Sequence, residues 1–219
     1  MKVFLLINHN QTRCNCFLMD CVYLSCMQFE KARDFIFKKL ENELPSSLSY
    51  HTVQHVRDVY DCADRIGREE GVTDHDLQLL LTAAAFHDSG FIHLRTGHEE
   101  ESCRIALNVL PFYHYTDDDI EKICGMIMAT RLPQSPQNHL EQILADADLD
   151  YLGRDDFFTI GDKLFKELLD AGIVKDHNEW NRVQLSFMEN HCYFTPTAAA
   201  QRKEKKDDNI KKVKAKLKT

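Results

Sequence analysis

Proline and glycine are scarce in this chain, at 5 and 8 of 219 residues. Long disordered linkers and turn-dense sheet folds both need more of them. No apolar run is long enough to span a bilayer, which excludes a membrane protein built on helices. Alternating apolar and polar residues are missing at useful strand length, with Val3–Ile7 the one candidate strand. There is no internal repeat. Cysteine is plentiful, but the paired C-x₂-C spacing of common zinc sites is absent. Cys14-x-Cys16, followed by Cys21 and Cys26, does not match it. Cys62, Cys103, Cys124 and Cys192 sit singly in helical patterns and read as buried, reduced thiols.

Charge is spread unevenly. The net charge is −8, while residues 201–219 alone carry nine basic and three acidic side chains. The acidic remainder is a poor general binder of nucleic-acid polymers. The run Lys203 to Lys206 reads as a solvated helix face. Three parts are expected: an N-terminal appendage over 1–26, a domain over 27–195 and a basic helical tail over 196–219. The appendage reads as an extension upstream of a start at Met27. Asn8 to Arg13 interrupts its apolar run, and Cys26 has no leucine three residues before it. Neither a secretory nor a lipoprotein signal results, so a cytoplasmic location is expected.

From Met27 onward the pattern is helical. Phe29 to Glu43 carries apolar residues at helical spacing, and Pro45 stops it. Ser49 suits the N-cap of a second helix, running through His51 and His55 to about Arg68, with Gly71 ending it. Thr73-x-x-Asp76 resembles a capping box opening a helix over 74–88, with Gly90 at its C′ position. Further helices are predicted at about 97–110, 117–131, 138–149, 155–172, 178–191 and 196–216. The fold class is all-α, with eight or nine helices packed around one buried helix.

That buried helix carries the first chemical signal. Leu79 to Phe86 is apolar almost all round, so it belongs inside the protein. Yet it runs into His87-Asp88, and burying an imidazole and a carboxylate without compensation is costly. A metal ion would compensate both. Upstream, His51 and His55 are four residues apart and share a helix face with Asp58. Downstream, Asp146 and Asp148 point to different sides, so one of them completes the set. Two imidazoles with two carboxylates suit Mn, Fe, Co, Ni, Zn or Mg. Four protein ligands leave positions open for water and substrate, as hydrolysis requires. Asp58 could orient His51 or His55. Arg131 and Lys163 are candidates to neutralise phosphate charge.

The pattern His55 … His87-Asp88 … Asp148 resembles the H…HD…D signature of the HD-domain phosphohydrolase superfamily, over roughly residues 48–152. The resemblance implies an all-helical bundle, a divalent metal centre and hydrolysis of a phosphoester by metal-activated water. Because the family's aspartate follows an alanine in an Ala-Asp-Arg-Leu pattern, it points to Asp148, with Asp146 as runner-up. A narrower element, Tyr50-His51-x-x-x-His55, is similar to the Tyr-His-Asn-x-x-His of cyclic nucleotide phosphodiesterases, with Thr52 in place of the asparagine. It implies that His55 binds metal and His51 protonates the leaving oxygen. Gln184-Leu185-Ser186-Phe187 resembles the Gln-x-x-Phe that reads and clamps a purine in those enzymes. Dinuclear members place two more histidines between the doublet and the last aspartate. His98 suits one of those places, but Ala129-Thr130 stands where the other is expected. One tight ion is therefore expected, with a weaker second held by Asp88 and water as the variant. His98 then serves as a phosphate contact or a support to the centre.

The expected activity is hydrolysis of a nucleotide or cyclic nucleotide phosphoester, with a small-molecule nucleotide as partner. The rival from another class is a catalytically silent HD module that senses a nucleotide. A third reading, di-iron oxygenase chemistry, is opposed by Ala129-Thr130.

Overall fold

A computed structural model describes residues 26–217. The predicted strand at Val3–Ile7 and the cysteines at 14, 16 and 21 lie outside the described residues. Nine α-helices form among the described residues: α1 (Phe29–Glu43), α2 (Val53–Glu69), α3 (Asp74–Phe86), α4 (His98–Val109), α5 (Asp117–Ala129), α6 (His139–Asp148), α7 (Phe157–Asp170), α8 (His177–Asn190) and α9 (Pro196–Lys216). Three short 3₁₀ turns, Ser89–Ile92, Leu110–Tyr113 and Asp150–Gly153, punctuate them. No described residue is in a strand, so the fold is all-α as expected. No helix among the described residues is long and apolar enough to cross a membrane.

The middle of the bundle is α3, packed against α1, α2, α4, α5 and α6. Leu79, Leu80, Ala83, Ala84, Ala85 and Phe86 are all fully buried on it. Each large side chain among them contributes about 1.5–3 kcal/mol through lost apolar exposure. Several neighbouring helices are capped from the sequence. Thr116 and Asp119 close a reciprocal capping box on α5. Asn138, Asp176 and Thr195 accept from the first-turn amides of α6, α8 and α9. Thr73 does stand at the N-cap of α3, but its side chain makes no capping bond.

A second apolar cluster, including Tyr50, Leu149, Leu152, Phe157, Met188 and Val213, ties α7, α8 and α9 to the bundle. There α9 lies across the Asp150–Gly153 turn. Asn209 Nδ2 donates to the carbonyls of Leu152 at 3.0 Å and Arg154 at 3.1 Å. A Cβ on Gly153 would stand 2.4 Å from the Arg202 carbonyl oxygen, so only glycine admits this approach. The expected solvated run on α9 is interrupted: Lys206 is buried, with its ammonium on the Met188 carbonyl at the end of α8. Among the later cysteines, Cys62 and Cys103 are buried, Cys124 is half-buried and Cys192 is exposed beyond the end of α8. The reading of all four as buried thiols is corrected at the last two.

Two helix boundaries differ from expectation where the chemistry lies. α2 begins at Val53, so Tyr50 and His51 precede it. Gly90 sits inside the 3₁₀ turn that follows α3, not in a left-handed C′ position. A Cβ there would come within 2.0 Å of the His98 carbonyl oxygen.

Candidate metal centre

The end of α3 brings the doublet together. On an uninterrupted helix, adjacent residues diverge by about 100°. Here α3 stops at Phe86, and the backbone leaves helical geometry at Asp88, with φ −102° and ψ 8°. Ser102 on α4 holds that change in place. Its hydroxyl donates to the His87 carbonyl at 2.6 Å and accepts from the Gly90 amide at 2.8 Å. His87 Nδ1 donates to the Ala84 carbonyl at 2.8 Å, which fixes the proton there and leaves Nε2 as an electron-pair donor. Asp88 Oδ2 then lies 3.4 Å from His87 Nε2.

Two further elements close on the same point. His55, in the first turn of α2, places Nε2 3.5 Å from Asp88 Oδ2 and 3.2 Å from Asp148 Oδ1. Asp148 is the last residue of α6, and its Oδ1 is 3.7 Å from His87 Nε2. Donor atoms of His55, His87 and Asp148 all lie within 4.8 Å of one another. Ligands that sit about 2.0–2.2 Å from a shared ion are separated in this way. His87 Nε2 and Asp88 Oδ2 are buried and have no hydrogen-bond partner. Orphaned buried atoms of this kind are costly, and a divalent cation satisfies both. Burial works against a charged His87, but the adjoining Asp88 carboxylate outweighs it and raises the imidazole to about 9. The same imidazole holds Asp88 far below the usual carboxylate range, against its burial. The donor set therefore fits a divalent cation.

Asp146, the alternative to Asp148, is used elsewhere. Fully buried, it accepts from the amides of Phe194 and Thr195 at 2.9 and 2.8 Å and from the Thr195 hydroxyl at 2.7 Å. It thus secures the start of α9, two residues and about 200° away from the ligand side of α6.

His51 does not share a helix face with His55. Instead its segment is pinned to α7 by Glu167, which is fully buried. Glu167 Oε2 accepts from the amides of Ser49, Tyr50 and His51 at 3.0, 2.8 and 3.1 Å. Glu167 Oε1 accepts from His51 Nδ1 at 2.6 Å and from Arg95 Nη1 at 3.0 Å. Burial alone would raise this carboxyl, but the His51 bond and charge, with the backbone amides, hold it down at about 2. The expected partner, Asp58, orients neither histidine. Both of its oxygens take Arg154 Nη1, at 2.9 and 2.7 Å, on the far side of α2 from the centre. Glu167 was missed because it lies more than a hundred residues from His51. Its one trace is an acid falling three residues after Leu164, on the apolar row of α7.

The centre forms the floor of a cavity of about 540 Å³. Phe91 lies between His51 and His98, with ring centroids at 4.1 and 4.0 Å and near-parallel planes. His98 Nε2 is 3.6 Å from Asp88 Oδ1, the oxygen turned away from His87. Tyr50 packs its ring 4.6 Å from that of His55. Gln184 and Phe187 of α8 line the opposite wall beside Leu164, Leu168, Trp180 and Val183. Arg131 reaches the rim, where it is paired with Glu100. Lys163 does not line the cavity; its carbonyl accepts from the Ser49 hydroxyl at 2.9 Å. The basic group near the centre is Arg95, which sequence reading did not single out. At the position of a second histidine pair, the Thr130 hydroxyl donates to the Ile127 carbonyl, and no imidazole is present.

Residues 52–150 match the family described as HD domain. No curated protein matches the sequence. The fold is similar to a crystal structure of a predicted HD superfamily hydrolase from an uncultured Thermotogales bacterium, at 19% identity and a TM-score of 0.58. That likeness covers 86% of this chain and 90% of the other. Bacillus subtilis YpgQ, solved in complex with ADP, is similar at 20% identity and a TM-score of 0.61, covering 86% and 95%. A Lactobacillus plantarum protein is similar at 19% identity and a TM-score of 0.61, covering 86% and 98%.

Proposed function

We propose that this chain, which belongs to the HD-domain superfamily, is a metal-dependent phosphohydrolase acting on a nucleotide. The observation that carries this reading is the pair of orphaned buried atoms, His87 Nε2 and Asp88 Oδ2, facing His55 and Asp148 at the floor of a substrate-sized cavity. His55, His87, Asp88 and Asp148 would hold one divalent cation. When bound, such an ion supplies Lewis acidity toward phosphate oxygens and a lowered pKa for water.

The chain's own residues supply the remainder. His51 sends Nδ1–H to Glu167, so Nε2 is the atom that gives a proton to the leaving oxygen. The Glu167 carboxylate keeps that ring oriented and stabilises its cationic form. Arg95, tied to the same carboxylate at 3.0 Å, has donors left for a substrate phosphate. His98 stands over the second Asp88 oxygen, where it supports the centre or meets phosphate. The wall of Leu164, Leu168, Trp180 and Phe187 excludes water and offers ring faces to a base. Gln184, buried on that wall, offers an amide to the substrate. The ADP held by the similar YpgQ supports a nucleotide as the class of substrate.

The test is hydrolysis of bis-p-nitrophenyl phosphate and of a nucleotide panel with Mn, Co, Ni, Fe, Mg and Zn in turn. Turnover with at least one ion, lost on chelation, is expected. No turnover with any ion, while nucleotides still bind, would reassign the chain as a sensing module.

A further inference from the structure

Beside the cavity over the metal centre lies a second one, of about 430 Å³. Leu132, Leu149 and Phe187 line both, so the two are neighbours across a shared apolar wall. Leu149 directly follows the ligand Asp148, so the annex begins at the edge of the centre. Two polar side chains line the annex, Gln134 ahead of α6 and His191 after α8. Each presents a buried atom with no hydrogen-bond partner, Gln134 Oε1 and His191 Nε2.

The roles of both atoms are fixed from behind. Gln134 Nε2 donates to the Ala145 carbonyl at 2.9 Å, so the amide cannot flip without losing that bond. Oε1 is therefore held as an acceptor. Lys206 places its ammonium 3.2 Å from His191 Nδ1 and also on the His191 carbonyl. An ammonium only donates, so Nδ1 accepts and the ring proton sits on Nε2. Burial and the Lys206 charge agree with this, holding His191 down to about 4 and hence neutral at pH 7. The annex thus displays one locked acceptor and one locked donor between the apolar faces of Leu149, Phe187 and Phe194.

Buried polar atoms rarely go unpaired, and where they do the missing partner needs an explanation. A donor and an acceptor set between flat apolar walls match the edge and faces of a planar heterocycle. We infer that the annex takes the base of the nucleotide, with Gln134 accepting an N–H from the base edge and His191 donating to a ring nitrogen or carbonyl beside it. This rests on the nucleotide reading above. It places the base on the far side of Phe187 from Gln184, so Gln134 and His191 determine base specificity while the phosphate stays at the metal centre.

The experiment is calorimetric titration of the manganese-supplemented protein with the four common ribonucleoside 5′-monophosphates and with ribose 5-phosphate, which lacks a base. His191→Asn keeps an acceptor toward Lys206 and removes the Nε2 donor. Gln134→Met removes the acceptor. Wild type is expected to prefer at least one nucleotide over ribose 5-phosphate by about tenfold or more. Each variant is expected to cut that preference about tenfold, the worth of one buried hydrogen bond, with ribose 5-phosphate binding held. A preference that survives in His191→Asn overturns the annex and leaves the nucleotide reading standing. Ribose 5-phosphate binding as tightly as every nucleotide in wild type removes the nucleotide reading and the annex with it. Loss of ribose 5-phosphate binding in both variants assigns the two residues to the fold and also overturns the proposal.

Discussion

The floor of the cavity and its outer wall use different means to hold their side chains. On the floor, nearly every polar side chain is held from behind: His87 by the Ala84 carbonyl, His51 by Glu167, and the doublet's backbone by Ser102. On the wall, α7 and α8 present Leu164, Leu168, Trp180 and Val183 with no such bonds, and Val183 is half exposed. Directional bonds fix atoms to fractions of an ångström, which metal ligation and proton transfer need. Apolar packing fixes volume and excludes water, but tolerates rearrangement. Substitutions on the floor should therefore abolish a step, and those on the wall should shift only affinity.

The sharpest break in this contrast is expected at the ligands. His87→Ala and Asp88→Ala should each reduce bound metal, measured by plasma mass spectrometry after dialysis, from stoichiometric to background. Activity should vanish with it. Leu168→Ala on the wall should retain the ion and raise KM instead. Stoichiometric metal in His87→Ala would remove the centre as drawn.

His51→Ala comes next. The proton donor goes while the four ligands stay, so metal content should hold and kcat should fall by about 10²–10⁴. Wild-type turnover in this variant would take the acid role away from His51.

Glu167 tests whether orientation matters apart from chemistry. Glu167→Gln removes the charge that His51 and Arg95 share and puts an amide N–H against existing donors. A fall in kcat of about 10–100-fold is expected, the usual cost of losing a group that orients an active-site histidine. A second readout is acid stability. Glu167 titrates at about 2 in the folded protein, below its ordinary value of 4.5. A depressed carboxyl stabilises the fold above its unfolded pKa, and that share disappears as pH falls from about 4.5 through about 2. Melting curves across this window should show a shallower acid decline for Glu167→Gln than for wild type. Parallel declines would mean that Glu167 does not carry this linkage.

How much of this was legible beforehand follows from the distance over which each contact acts. The helices were readable because apolar spacing and caps are local. The doublet was readable because a polar pair ending an apolar helix is a local contradiction. Asp148 was narrowed down by helix geometry together with resemblance, and Asp146 proved to serve the start of α9. Glu167 and Arg95 were not readable, because their partners lie more than seventy residues away. The same long reach displaced the start of α2. Once three amides converge on Glu167, the Ser49–His51 segment belongs to α7 as much as to the helix that follows it.

The smallest effect should come from Asp58, which sequence reading placed beside the catalytic histidine. Its carboxylate is over a third exposed and bound to Arg154, which also holds Asp156. An exposed pair of this kind is worth about 0–1 kcal/mol. Asp58→Ala should therefore leave kcat within about twofold of wild type and lower the melting temperature by a few degrees at most. A loss of kcat comparable to that of Glu167→Gln would mean that the outer face of α2 is coupled to His51, and that the floor extends further than its hydrogen bonds indicate.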